Sequence, residues 1–583
     1  MNRTRLFAGI GAAFGIVAAC GTTKDPAGDA GGIDTSGSGG TGSGTGGTNV
    51  VLGGTAGSTG TGGFAGTIPP DSGPDVVGDG PMRDPNTCEE AVTFRTYLGC
   101  EFFPTVLPNV VDPIFDFAVV IANPSTETAD IHVEGPAGFM ADATVGARSL
   151  TTVYLPWQTA LKGPSLDSAG RSEPLTASLV VAGGAYHVTT TRPVAAYQFN
   201  PLEFQAMGGP PGKTWTCSDT SSDYVCNSFA NDASLLLPAN ALTPNYIAFS
   251  WRDASGMGKP NYIAVTATTD ATEVVVKAGP GGTIVAGAAG TGIAQAGPGT
   301  VFALTLNRLD VAVLVGAAGS ELSGTQVQAS DETKPIQVMT GCQIANVPDS
   351  TVASGDHLEE IVFPAEAVGR DYVVTVPTGP FGMPVRHVVR LYGHANPSTL
   401  SYYPSKPAGA PDMLAAGEVA QFEASADFQV QGSTPFAVGS FLVGGALLDP
   451  MTPSQDRLGD PSQSLVTGNL QFRERYVFLA PADYQKSFVD IVAPAGATVT
   501  LDGTALAPAT ATSLTGRAAD GTTEQRFDVY RNVLPPEGQH ELSATAPVGI
   551  QVVGYGRFTS YQYPGGLNLN LITDPPPRPD PPR

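Results

Sequence analysis

Charged residues are scarce in this sequence: they make up 14% of 583 residues, against roughly 25% in an average protein. The surface must therefore consist largely of uncharged polar and small apolar side chains, which is typical of turn-rich extracellular proteins. Basic residues are the scarcer kind, with 29 Lys and Arg against 53 Asp and Glu, for a net charge of −24. This balance argues against nucleic acid and anionic lipid head groups as partners, because both would be repelled.

Helix-forming stretches are also missing. No amphipathic stretch runs longer than about two helical turns without a Gly or Pro, and the 72 Gly and 50 Pro residues are unfavourable inside helices. The chain instead has short runs rich in Val, Ile, Thr, Phe and Tyr that end in turn residues, such as FDFAVVIAN, YIAVTAT and DYVVTVP. The sequence therefore predicts an all-β fold.

The strand-rich part repeats itself loosely. Four segments end in a strand, a polar turn, a proline and another strand, with the prolines at Pro193, Pro335, Pro435 and Pro547. A period of roughly 100 residues is the size of a β-sandwich, and a proline before a last strand suggests an edge or a strand start. We predict tandem β-sandwich-like modules at 87–205, 206–345, 346–450 and 451–573, and a solvated proline-rich tail at 574–583. A single propeller-like or barrel-like body is the alternative.

The first residues have the layout of an export signal. A short basic segment precedes an apolar stretch that is shorter than the roughly 20 residues a bilayer requires. Residues 17–20, VAAC, resemble a lipobox, which predicts a signal peptide at 1–19 and lipid on Cys20. A chance cysteine after an ordinary signal peptide is the alternative. Gly21 stands where an Asp would favour inner-membrane retention in proteobacterial lipoproteins, so the resemblance to them implies the outer membrane. Whether the body faces outward or into the periplasm stays open.

Residues 20–86 consist mainly of Gly, Ser, Thr and Asp. They hold too few large apolar side chains to offset the entropy lost on ordering, so we predict a lipid-anchored, disordered linker. Such a linker would hold the strand-rich body away from the membrane surface.

The cysteines beyond the lipobox fall into close pairs. Exported proteins meet an oxidising compartment, which predicts disulfides between Cys88 and Cys100 and between Cys217 and Cys226. Metal binding is the rival interpretation, but neither pair has the C-x-x-C spacing or a nearby histidine. Cys342 is then left over.

Residues that carry chemistry are few. The six histidines are scattered, and the sequence has no HExxH pair, nucleophile elbow, P-loop or dinucleotide fingerprint. We predict no catalytic residue, no metal site and no cofactor. The densest polar cluster is Asp356, His357, Glu359 and Glu360, which would supply metal ligands or a general base if distant residues converged on it. A polar turn that braces the next module is the interpretation favoured by its composition.

Five stretches in order resemble the IgGFc-binding protein N-terminal domain family as it occurs in myxobacterial lipoproteins. They are RTYLGCEFFPT from Arg95, FDFAVVIAN from Phe115, NDASLLLPAN from Asn231, SGDHLEE from Ser354 and QFRERYVFLAPADY from Gln471. The resemblance implies a binding function, since the family takes its name from an animal mucus protein that binds the Fc part of immunoglobulin G. Family members usually have a cysteine where this chain has Gly355. The resemblance therefore implies that Cys342 is a buried thiol or forms an intermolecular link.

These observations favour a membrane-anchored lipoprotein that displays a non-enzymatic, β-rich binding or adhesion region of the IgGFc-binding type at the cell envelope or surface. Its partner would be an unknown extracellular protein or glycan. Trp157, Trp215 and Trp251 are candidate contact residues, although buried packing is the interpretation favoured for each. A secreted, lipid-anchored hydrolase acting on polysaccharide or peptide and a structural envelope component are the alternatives.

Overall fold

The structure, a computed structural model, describes residues 48–50, 83–164, 173–216, 227–252, 259–352, 354–535 and 538–580. Over these residues it has 33 strands and three short α-helices, α1 (Cys88–Thr93), α2 (Thr159–Lys162) and α3 (Gly445–Leu448). Single 3₁₀ turns cover Pro136–Gly138, Ala239–Ala241, Ala365–Ala367, Ser454–Asp456, Asn469–Gln471 and Pro508–Thr510. The predicted all-β fold is confirmed.

The strands form four pairs of sheets, numbered sandwiches 1 to 4 in chain order. Sandwich 1 contains β1 (Thr48–Val50), β2 (Gly99–Phe102), β3 (Phe117–Asn123), β4 (Ala129–Gly135), β5 (Phe139–Val145), β6 (Ser149–Leu155), β8 (His187–Phe199) and β9 (Ala233–Leu236). The strand between β6 and β8 in the chain, β7 (Leu179–Val181), belongs to sandwich 2. Its sheets have the orders β1-β6-β3-β8-β9 and β2-β8-β4-β5. β1 lies within the predicted linker and pairs in parallel with β6.

Sandwich 2 contains β7 together with β10 (Asn245–Ile247), β11 (Asn261–Ala267), β12 (Thr272–Lys277), β13 (Val301–Leu306), β14 (Val311–Val315), β15 (Gln326–Ala329), β16 (Ile336–Ala345) and β17 (Asp356–Ile361). Its sheets have the orders β10-β15-β12-β13 and β17-β16-β11-β14-β7. β7 precedes β8 in the chain, yet it pairs with the fully buried β14. This pairing covers an apolar sheet edge that would otherwise be open to other chains.

Sandwich 3 contains β18 (Asp371–Val374), β19 (His387–Gly393), β20 (Ser398–Tyr403), β21 (Met413–Leu414), β22 (Val419–Ala424), β23 (Phe428–Gly432), β24 (Phe436–Leu442) and β25 (Gln463–Leu465). Its sheets have the orders β18-β23-β20-β21 and β22-β19-β24-β25. Apolar residues of both sheets, including Val389, Leu400 and Phe428, form one core between them, as expected for packed sheets.

Sandwich 4 contains β26 (Arg473–Ala480), β27 (Lys486–Pro494), β28 (Val499–Leu501), β29 (Thr504–Ala505), β30 (Thr512–Arg517), β31 (Glu524–Leu534), β32 (Gly538–Gly556) and β33 (Thr559–Pro564). Its sheets have the orders β30-β31-β27-β32-β33 and β26-β32-β28-β29. The tandem β-sandwich-like architecture is thus present, while the predicted boundaries of the four modules stay a prediction.

The four repeated prolines mark the place where the chain crosses from one sheet of a sandwich to the other. Residues 187–190 of β8 pair with β4, and residues 195–199 pair with β3, so Pro193 lies between the two sheets. Pro547 divides β32 in the same way, whereas Pro335 and Pro435 immediately precede β16 and β24. An edge or strand-start position was expected at all four sites. Pro193 and Pro547 instead lie within the long strands β8 and β32, respectively. A proline has no N–H to donate, so it suits a corner where the strand changes its pairing partners.

Four short strands, the last of each sandwich, close a ring. β9 contacts β17, β17 contacts β25, β25 contacts β33, and β33 contacts β9. Each of them pairs with a preceding strand of its own sandwich: β8, β16, β24 and β32, respectively. The sandwiches are therefore arranged around a common axis, as in a propeller, but each unit is a sandwich and not a single-sheet blade.

Arg473, at the start of β26, ties together two ends of the described chain. Its buried guanidinium donates hydrogen bonds to Asp84 and to Asn568. Close by, the Leu569 N–H donates to the Arg95 carbonyl over 2.8 Å. Asp84 belongs to the predicted linker, so contacts with the folded body already begin before residue 87.

The proline-rich tail packs on sandwich 2 over its described residues. The Pro576 carbonyl accepts a 3.0 Å hydrogen bond from the buried Gln328 side chain of β15. Arg578 donates to the Ser330 carbonyl over 2.7 Å and contacts the Glu332 carboxylate. The expectation of a solvated tail is wrong for this part, because a proline-rich segment keeps carbonyls that side chains of a neighbouring strand can engage.

Cys88 and Cys100 form the predicted disulfide, which links α1 to β2. The second predicted pair, Cys217 and Cys226, lies outside the described residues. Among the described helices, none has the length and apolar character needed to cross a bilayer.

Cys342, in β16, is buried, and its sulfur lies 3.2 Å from the Ile344 carbonyl oxygen. Gly355, where family members usually have a cysteine, packs against Ile344 and Ala345: a Cβ there would come within 2.9 Å of Ile344. The burial that the resemblance implied for Cys342 is present.

Candidate functional site

The polar cluster on β17 lies in the ring of short strands. Asp356, His357, Glu359 and Glu360 are each at most 1% exposed. Side chains of a strand point alternately to its two faces, so Asp356 and Glu360 share one face and His357 and Glu359 the other. The predicted polar turn is in fact a buried strand, because other sandwiches supply polar partners on both faces.

On one face, His357 and Glu359 meet residues from sandwich 1. The His357 Nε2 atom lies 3.2 Å from the Asn200 amide nitrogen and 3.4 Å from a Glu359 carboxyl oxygen. The imidazole stacks on Tyr262, with 6.2 Å between ring centroids, and the Gln198 amide donates to Glu359 over 3.5 Å. Burial lowers the pKa of His357 to about 3 and raises the pKa of Glu359. Both shifts disfavour the charged forms of these side chains, which argues against an ion pair between them.

On the other face, Glu360 joins three sandwiches. The Ser234 hydroxyl donates to its carboxyl over 2.7 Å, the Leu465 N–H donates over 3.4 Å, and Ser464 also hydrogen-bonds to it. Ser234, Glu360 and Ser464 occupy equivalent positions, four residues before Pro238, Pro364 and Gly468 respectively. Burial raises the pKa of Glu360 to about 8, although the hydrogen bonds from both serines act to lower it.

Two further buried carboxyls belong to the cluster and were missed in the sequence. Asp232 accepts hydrogen bonds from the Glu359 N–H over 3.1 Å and from the Gln463 N–H over 3.2 Å. Burial raises the pKa values of Asp232 and Asp460, and burial together with the charge of Asp460 raises that of Asp356. Asp232, Asp356 and Asp460 stand just before or at the start of β9, β17 and β25, in NDAS, GDHL and GDPS. That recurrence is the signal that could have found them.

The arrangement holds sandwiches together and offers no exposed reactive group. Its carboxyls and imidazole are closed to solvent, so a general base or a nucleophile here would have no contact with substrate. Across the described ranges, no group of three or more His, Cys, Asp or Glu side chains is placed to hold a metal ion.

A pocket lies between sandwiches 1 and 4. Its volume, which includes the solvent at its mouth, is about 640 Å³.

The pocket wall is mostly apolar, but it also carries carboxyl groups. Apolar residues of β3, β6 and β26 and of the loop after β8 line it, together with Glu203 and Asp483. Burial and the charge of Asp116 raise the pKa of Glu203 to about 8, and burial raises that of Asp483 to about 6. Because the lining comes from four separate segments, the sequence did not predict this pocket.

The tryptophans differ in their surroundings. Trp251 is 2% exposed, and the Arg390 guanidinium lies 4.2 Å above its ring. Trp157 donates from its indole N–H to the Phe115 carbonyl over 2.7 Å, and Trp215 packs against the Phe115 ring at 5.4 Å. Buried packing, the interpretation favoured from the sequence, holds for Trp251.

The similarity to known proteins begins at the first ring strand, β9. A family model described as IgGFc binding protein matches residues 232–554, from Asp232 before β9 to within β32. The chain belongs to the IgGFc binding protein family. The match to this family takes in sandwiches 2 and 3 from β10 to β25, while the two motifs that begin at Arg95 and Phe115 lie outside it. No curated protein matches the chain. Membership of the IgGFc binding protein family indicates that residues 232–554 form a β-rich, binding-type module.

Proposed function

We propose that this protein is an exported lipoprotein, anchored through Cys20, and that its sandwiches bind an extracellular protein or glycan without catalysis. The observation that carries the binding role is the burial of the densest polar cluster: Asp356, His357, Glu359 and Glu360 are at most 1% exposed. Together with the family's binding character, this favours contact through the outer surface over chemistry in the interior.

The anchor rests on the VAAC run at residues 17–20, which lies outside the described residues. The test is metabolic labelling of the full-length chain with a radioactive fatty acid in a bacterial host that processes lipoproteins. Label is expected on the wild type and on Cys342→Ala, the matched control, and none on Cys20→Ala. An unlabelled wild-type chain would remove the anchor from the proposal.

The binding role is tested with a soluble fragment of residues 83–583, which keeps Asp84 and the tail that contact the body. The fragment is applied to glycan arrays and to intact cells, with the urea-unfolded fragment as control. Binding that saturates and is lost on unfolding is expected. Silence on every surface, combined with loss of cell cohesion in a deletion strain, would favour a structural envelope role instead.

A further inference from the structure

A loop with two adjacent glycines forms part of the wall of the pocket between sandwiches 1 and 4. Its lining includes Leu150 of β6, Leu479 of β26 and the backbone of Gly208 and Gly209. Both glycines have left-handed backbone angles, with φ of +68° and +84°, which side chains with a Cβ rarely adopt. A Cβ on Gly209 would also meet the Lys213 side chain at 2.7 Å. The backbone angles of this loop against the pocket therefore favour glycine at both positions.

Glu203 places an unused acceptor in this wall. The residue is 2% exposed, and its Oε2 atom accepts the Asp116 N–H over 3.2 Å. Its Oε1 atom is buried and has no hydrogen-bond partner among the described residues. An unsatisfied buried acceptor is unfavourable, so a donor that enters the pocket gains a hydrogen bond the protein does not supply.

The charges around Glu203 favour a cationic donor. Its titratable neighbours are the carboxyls of Asp116 and Asp483 and the hydroxyl of Tyr154, which also hydrogen-bonds to the Glu203 carboxyl. The positive group described beside them is Lys213, which contacts Asp116 and the Ile114 carbonyl. Carboxyls thus outnumber ammonium groups in this part of the structure, and a second cation would offset their mutual repulsion.

We propose that this pocket binds a primary alkylammonium group, with the alkyl chain against the apolar wall and an N–H donated to Glu203 Oε1. Two sources share this chemistry, the lysine side chain of a protein partner and a free amine. The inference goes beyond the proposed function, since it holds whether or not the chain is anchored or adhesive.

Binding should be linked to protons. Burial and the charge of Asp116 hold the pKa of Glu203 at about 8, so below that pH the carboxyl is neutral. A bound ammonium favours the ionised form, and the proton of Glu203 passes to the buffer. One released proton makes the affinity rise about tenfold per pH unit between about pH 6 and pH 8.

The test is calorimetric titration of the full-length chain with n-butylamine, N-acetyl-lysine amide and n-butanol, in two buffers of different ionisation heat. Butylamine is expected to bind with release of one proton and with the pH dependence above, and butanol at least tenfold more weakly. Glu203→Gln should lose the pH dependence and most of the affinity, whereas Glu524→Gln, an exposed acid of sandwich 4, should behave as the wild type.

The sources are separated by the two amines: tighter binding of the lysine amide indicates a protein side chain, and tighter binding of butylamine indicates a free amine. Absence of binding by both, equal binding of butanol, or affinity independent of pH would each overturn the proposal. The wild-type measurements decide it even if Glu203→Gln does not fold. Failure here leaves the labelling and cell-binding results untouched.

Discussion

Replacing Glu360 by glutamine should make the stability of the protein less sensitive to pH. Glutamine has nearly the shape of the protonated acid, and it can still accept from Ser234, whose hydroxyl lies 2.7 Å from the carboxyl. What the substitution removes is the titrating proton. The side chain is completely buried, so the proton's effect on stability is little screened by solvent.

The sign and size follow from the two pKa values. The carboxyl ionises near 4.5 in an unfolded chain and near 8 in the folded protein. Between these values only the folded state holds the proton, so raising the pH favours unfolding. The free energy of unfolding then falls by about 1.4 kcal/mol per pH unit and levels off above about pH 8. Because the folded carboxyl is already half ionised at pH 8, Glu360 accounts for a loss of about 2 kcal/mol between pH 6 and pH 8.

The assay is urea unfolding followed by circular dichroism at about pH 6 and about pH 8. The wild type should lose more stability over this interval than Glu360→Gln, by about 2 kcal/mol. Buried Asp232 and Glu359 keep a raised pKa in the variant, so some slope should remain. Glu89→Gln, at an exposed site on α1, is the control. Equal pH slopes for the wild type and Glu360→Gln would refute the reasoning, since Glu360 would then be ionised in the folded protein.

Three further predictions concern the ends of the chain. Arg473→Met removes the buried guanidinium and should lower the free energy of unfolding, measured in urea, by about 2–3 kcal/mol. The exposed Arg475→Met should change it little. Equal effects would contradict a stabilising role for the contacts of Arg473 with Asp84 and Asn568. Serine at both Cys88 and Cys100 opens a link across 12 residues and should cost about 3 kcal/mol, with no further loss on adding a reductant. Deleting residues 574–583 should cost about 1–2 kcal/mol and speed hydrogen exchange in β15; unchanged exchange there would show that the tail does not pack on sandwich 2.

Much of the fold could be predicted from local features. Strand-forming runs closed by turn residues predicted an all-β chain, and the recurring prolines indicated sandwich-sized units. Cys88 and Cys100 lie close enough in sequence for their pairing to follow from spacing and compartment, and the structure contains that disulfide. The motifs within residues 232–554 carried a family resemblance that the family match confirms. Each of these signals is contained within a short stretch of chain.

Only the tertiary structure decided what the polar residues do. The sequence predicted a polar turn at Asp356 and Glu360, but ring closure buries these residues against Asp232 and Ser464, which lie far away in the chain. The pocket with Glu203 likewise exists only where sandwich 4 meets sandwich 1. Composition and periodicity are properties of the chain itself, whereas burial, pKa and the presence of a partner depend on which distant strands come together, and that is set by the packing of whole sandwiches around one axis.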